Sequence, residues 1–138
     1  MKRIACSTLI LLLILLPFAS RASEQKQRDA EQEAGKWLAL VDGGQYQESW
    51  QRAASLFKRQ VSAEQWHQAI TAARDPFGIM ISRQLMSSAY TTTLPGAPDG
   101  EYVVMQFKTV FKNKQQAIET VTPMLDEGNW RVSGYYVR

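Results

Sequence analysis

Cysteine is almost missing from this chain: 138 residues hold one, Cys6. Histidine is as scarce, with His67 alone. One thiol cannot close a disulfide within the chain. One imidazole cannot build a zinc site, which takes three or four clustered ligands. As a general base a lone histidine needs an orienting partner and a substrate cavity. His67 instead falls one residue from Trp66, about 100° around the helix from the apolar stripe, and reads as a surface or boundary residue. No G-x-S-x-G elbow and no glycine-rich phosphate loop after a strand is present, so hydrolases of that kind and nucleotide enzymes are not indicated. The serines and threonines of residues 87–93 have no histidine–acid pair beside them, and Thr91-Thr92-Thr93 reads as β-branched strand filling. No internal repeat is visible. No apolar run reaches the roughly 20 residues of a membrane-crossing helix. No metal and no cofactor is expected.

The longest apolar stretch, Ile4 to Phe18, follows Lys2-Arg3 and ends at Ala19-Ser20-Arg21-Ala22. A basic start, a short apolar segment and small residues form a secretory signal, with cleavage expected after Ala22. The expected organisation is a signal peptide at 1–22, a polar lead-in at 23–35 and a single domain at 36–138. Cleavage changes the bulk statistics. The chain carries 16 Lys and Arg against 13 Asp and Glu, a net charge of +3. Lys2, Arg3 and Arg21 leave with the signal, so 13 basic residues face 13 acidic ones. A neutral domain has no footprint for phosphate backbones, so nucleic acid is not an expected partner. Cys6 leaves too, and it lies at the wrong end of the apolar segment for lipidation. The exported chain then has no thiol and no stable membrane anchor. Exported eukaryotic domains of this size usually carry disulfides, so the periplasm of a Gram-negative bacterium is the expected destination.

The remaining pattern is helical first and alternating afterwards. Ser23 to Glu33 is nearly all polar and reads as a solvated linker or a frayed helical lead-in. Ala30, Ala34, Trp37, Leu38 and Val41 then recur at helical spacing, and Gly43-Gly44 stops the helix. A second helix is expected from about Gln45 to Arg59, an antiparallel neighbour of the first. A third opens on a capping box, Ser62 with Gln65, and carries Trp66, Ala69, Ile70 and Ala73 inward until Pro76 and Gly78. Strands follow at about 83–93, 101–111, 116–125 and 130–137. Pro98-Asp99-Gly100 is expected to form a type I turn and Asp126 to Asn129 the last hairpin. Pro123 has no N–H for a ladder, so it marks an edge or a bulge. The fold class is α+β: three helices on one face of a curved, four-stranded antiparallel sheet, cone-like.

Trp37-Leu38, Tyr46 with Trp50, Trp66, Leu94 to Val104 (LPGAPDGEYVV), Glu119-Thr120-Val121 and Trp130 to Tyr135 resemble an uncharacterised bacterial family, domain of unknown function four thousand and nineteen. The resemblance spans about Lys36 to Arg138 and implies an exported protein, with no activity to transfer. The order of elements also resembles the cone-shaped fold of nuclear transport factor two and ketosteroid isomerase, which implies a pocket inside a curved sheet.

Glu119 is the carboxylate of most interest. It shares a strand face with Ala117, Val121 and Leu125. If that face is inward, Glu119 needs a cation such as Arg83 or Arg131, and in an apolar cone it could act as a base. Arg83, Tyr90 and Tyr102 are the candidate ligand-binding residues, and Tyr135 and Tyr136 could join them at the rim of a pocket or interface. Trp37, Trp50, Trp66 and Trp130 read as core. The expected function is non-catalytic binding of a small apolar ligand or an envelope protein through the concave sheet. An isomerase- or hydrolase-type enzyme using Glu119 is the alternative, and an assembly module, homodimeric through an exposed sheet surface, is a third reading.

Overall fold

A computed structural model describes residues 18–138. The basic and apolar residues at 1–17, on which most of the secretory reading rests, lie outside the described residues. Four helices precede four strands: α1 (Phe18–Asp42), α2 (Tyr46–Arg52), α3 (Ser55–Gln60), α4 (Ala63–Arg74), then β1 (Met80–Thr91), β2 (Tyr102–Phe111), β3 (Lys114–Asp126) and β4 (Asn129–Val137). A single 3-10 turn, Asp75–Phe77, joins α4 to the sheet. The strands form an antiparallel meander in the order β1-β2-β3-β4. No helix of the described residues is long and apolar enough to cross a membrane.

Three local expectations need correcting. The polar lead-in is no linker. α1 is continuous from Phe18, passes through Ala22, and is tied to the sheet where Lys26 pairs with Glu101 and Gln27 Nε2 donates to Ser88 O at 3.1 Å. The single helix expected over 45–59 is two, so the helices number four rather than three. Ala53 and Ala54 are extended, because the Ala54 N–H donates to Val132 O at 2.8 Å and the Asp126 carboxylate takes the Ser55 N–H at 2.8 Å. Tertiary bonds to the sheet override the helix-forming tendency of alanine. The tight turn of the first hairpin forms at Leu94–Ala97, where Gly96 has φ +76° and Ala97 N–H bonds Leu94 O at 3.2 Å, a type II arrangement.

Other signals carry through. Ser62 and Gln65 make the full capping box that opens α4. Pro123 sits at a register shift between β3 and β4, so it marks a bulge rather than an edge. Glu127 (φ 50°) and Gly128 (φ 80°) form the left-handed pair of a two-residue hairpin. Ala30, Ala34, Trp37, Leu38 and Val41 of α1 and Trp66 and Ile70 of α4 bury against Val103, Met105, Val121 and Val132 of the sheet. Ser49 holds two indoles in this layer: its carbonyl accepts from Trp37 Nε1 at 2.8 Å and its hydroxyl from Trp66 Nε1 at 2.9 Å. Trp50 and Trp130 are only half-buried against the core.

Candidate functional site: a buried ion-pair cluster

Every layer of the fold sends a polar side chain to one point beneath the helices. Asp42 ends α1, Arg74 ends α4, and Arg83, Thr109, Glu119 and Tyr135 come one each from β1, β2, β3 and β4. The strand pairing requires this juxtaposition. Arg83 stands opposite Thr109, Thr109 opposite Ala117, and Val121 opposite Tyr135, all on the sheet face that the helices cover. Glu119 lies between Ala117 and Val121 on that face and has no exposed surface.

The guanidinium of Arg83 joins the two carboxylates. Its Nε donates to Glu119 Oε1 at 2.7 Å, its Nη1 to Asp42 Oδ2 at 2.7 Å, and its Nη2 to Asp42 Oδ1 at 2.9 Å. Arg74 closes the other side, with Nη2 on Asp42 Oδ1 at 2.8 Å and Nη1 3.8 Å from Glu119 Oε2. Thr109 Oγ1 donates to Glu119 Oε1 at 2.5 Å, and the Tyr135 hydroxyl donates to Glu119 Oε2 at 2.5 Å. Both Glu119 oxygens are therefore occupied. The Arg74 guanidinium also lies 4.6 Å over the Phe111 ring, while its Nε is buried without a partner.

Two cations and two anions make the cluster neutral, and the pairing governs how it titrates. Burial alone would raise the Asp42 carboxyl, but hydrogen bonds from Arg83 and Arg74 outweigh it and hold the group below its ordinary 3.8. Burial works to lower both guanidinium groups as well, and the hydrogen bonds they donate to Asp42 lift them above their usual values. Burial and then the neighbouring Glu119 charge push the Tyr135 phenol far above its usual range. Asp42, Arg74, Arg83 and Tyr135 are each held in the form their neighbours need.

The remaining candidates lie elsewhere. Tyr90 is at the far end of β1, where its hydroxyl donates to Glu101 at 2.7 Å beside Lys26. Tyr102 is buried on the opposite side of the sheet, its hydroxyl donating to Pro98 O at 2.5 Å beneath the proline-glycine loop. So Arg83 meets Glu119, but Tyr90 and Tyr102 join neither each other nor Arg83. Arg131 is not a partner of Glu119. It stands opposite Met124 and lines an open polar cleft of about 490 Å³ with Asp29, Lys36 and Trp130. His67 is exposed, edge-on to the Tyr46 ring at 5.6 Å. Among the described residues no group of three or more His, Cys, Asp or Glu could hold a metal ion.

A protein-family model described as a protein of unknown function (DUF4019) matches residues 33–135. The chain belongs to the DUF4019 family. All six residues of the buried cluster fall inside the DUF4019 span, whose last residue is Tyr135 itself. The Lys26–Glu101 tie starts outside it, at the residue before Gln27 on α1. A search of curated proteins gives no match, so no activity comes to the chain by likeness.

Four members of the cluster carry sequence signals that composition and motif searches pass over. Asp42 directly follows Val41, the last residue of the α1 stripe. Arg74 continues the Trp66–Ile70 spacing by four. Thr109 interrupts the inward alternation between Phe107 and Phe111. Tyr135 is the inward aromatic of β4. A polar residue at an apolar-stripe position is the mark they share.

Proposed function

We infer that the protein is an exported, non-catalytic interaction domain whose working surface is the free edge of β1. One observation carries this reading. Ile79, Ile81, Leu85 and Met86 are 68%, 58%, 40% and 57% exposed and stand together on or beside one edge strand. An edge strand presents unpaired backbone groups that can accept another chain, and natural sheets blunt such edges with charges, prolines or a covering segment. Met80–Thr91 contains one charge, Arg83, and it is turned into the buried cluster. The opposite edge, β4, is partly covered, since the Ala53–Ala54 segment bonds it through Val132 O. Strand addition draws affinity from the main chain and specificity from alternate side chains.

The other readings have less support. For Glu119 to act as a base, a substrate must reach a carboxylate that has no exposed surface and whose oxygens are both engaged. For a small apolar ligand to enter the concave face, it must displace Val103, Met105 and Val121, which are fully buried under the helices. What remains is a shallow cleft of about 200 Å³ between α4 and β4, lined by Trp66, Ile70 and Tyr135. That is below the ~300–1,000 Å³ typical of ligand sites. The helices-first order keeps the cone-like architecture of nuclear transport factor two as our reading of the ancestry, with the cone filled. Export rests on Lys2-Arg3, the apolar segment and the small residues to Ala22; an intact mass lacking Met1 to Ala22 is the expected result.

A photo-crosslinker placed at Ile81 or at Met86 in the native host tests the reading. Protein adducts are expected from both positions and not from Gln68, an exposed control on α4. Adducts at neither β1 position, or as many from Gln68, would overturn it.

A further inference from the structure

We propose that β1 pairs antiparallel with β1 of a second copy, about a twofold axis passing near Gln84. This rests on the edge reading above and names the occupant of that edge. A strand that meets its own copy must be self-complementary, because a twofold interface brings the same patch from both sides. Charge is the usual obstacle, since like charges directly opposite destabilise a strand pair. β1 is free of that obstacle: its only ionic side chain, Arg83, is neutralised inside its own protomer by Asp42 and Glu119.

The register follows from three facts. The stretch free of bulges is Ser82 to Leu85, which pairs continuously with Val110 to Phe107, between shifts at Met80/Ser82 and Leu85/Ser87. Residues directly opposite must lie on the same sheet face, so the axis passes through a residue and not between two. Near the middle of the stretch this leaves Arg83 or Gln84. An axis at Arg83 would set the two guanidinium groups side by side, whereas one at Gln84 sets Arg83 opposite Leu85 of the second copy. It also brings each exposed Met86 against the other copy's Ser82, beside the exposed Ile81, so the apolar side chains of the edge are covered in pairs. Lys108 neighbours Gln84 on β2 and is exposed. Across the axis the two Lys108 side chains stand three strand spacings apart, about 14 Å, beyond the ~8 Å screening length at physiological salt.

A cysteine at the axis reads this geometry directly, in a Cys6→Ser background so that no other thiol is present. Gln84→Cys is expected to form a disulfide-linked dimer on mild oxidation at least about tenfold faster than Gln68→Cys. Light scattering of the unaltered protein should show a concentration-dependent dimer, and Met86→Lys should weaken it about tenfold or more with an unchanged circular dichroism spectrum, a difference of ~1.4 kcal/mol. Equal linking at both cysteine positions, or a monomer at every concentration, overturns the homodimer. If the monomer result comes with photo-adducts in cells from Ile81 or Met86 to a different protein, the occupant is wrong and the edge reading stands. If those adducts are missing as well, both fall.

Discussion

Arg83 reaches two carboxylates with one guanidinium, so its removal does more than delete a contact. Arg83→Met would leave Asp42 and Glu119 short of their main cation in a place water barely reaches. Breaking a buried pair from one side typically costs about 3–5 kcal/mol, and the urea midpoint should fall accordingly. The cluster also sets the pH response. The folded Asp42 carboxyl binds its proton more weakly than the unfolded one, whose value is 3.8. Its stabilisation is whole above that value and drains as pH falls through the lower folded one. Asp42→Asn should flatten the acid limb of stability against pH, measured by urea midpoints. Tyr135 works in the opposite direction. Its folded value is raised above 10.0, so its contribution is whole below that pH and is lost as pH rises further. Tyr135→Phe should remove the last-ionising phenol from the tyrosinate absorbance curve. Two of the six residues of this site were legible in the sequence. Alternation put Glu119 on a face with Ala117 and Val121 and named Arg83 as one of two possible partners. Which face was inward depended on where the helices would lie, and Asp42, Arg74, Thr109 and Tyr135 come together only through long-range pairing.

Among the elements, α4 was the most legible because its start is fixed locally. Ser62 and Gln65 are three residues apart and cap each other's backbone whatever the rest of the chain does. Ser62→Ala should cost about 1 kcal/mol, read by thermal or urea unfolding. The break between α2 and α3 was illegible for the converse reason. Ala53 and Ala54 favour helix, and only the distant Val132 carbonyl and Asp126 carboxylate hold them extended. Ala54→Pro isolates that tertiary bond. Its φ of −61° suits the proline ring, and Ala53 is already extended at ψ 161°. The substitution should therefore cost the lost N–H and the stranded carbonyl, about 1–3 kcal/mol. A neutral result would mean that the break has another cause. The strands were easier to read, since alternation and turn residues sit within each hairpin. The tight turn shifted from Pro98-Asp99-Gly100 to Pro95-Gly96 because the second half of the loop folds over Tyr102.

At the scale of the whole molecule, helices cover one sheet face completely enough to make its polar centre part of the core. Trp66 joins α4 to that core through Trp37, Phe57 and Tyr135, at ring-centre distances of 5.6, 5.1 and 6.2 Å. Trp66→Ala should cost about 3–5 kcal/mol. What the fold leaves outward is the β1 edge, which the sequence could not mark, because edge and centre strands differ in their neighbours rather than in their own residues. The central physical claim is that the cluster is closed to water at its Glu119 end, where Arg83 Nε donates, although Asp42 and Arg83 keep 17% and 12% of their side chains exposed, and that Glu119 therefore serves the fold. Exchange of the Arg83 Nε–H with water, followed by nitrogen NMR at neutral pH, tests this most directly. A closed cluster gives exchange on the order of 100-fold slower than at exposed Arg59, because it must await a local opening. Exchange as fast as at Arg59 would mean that water reaches Glu119 freely, and would return that carboxylate to consideration as a catalytic base.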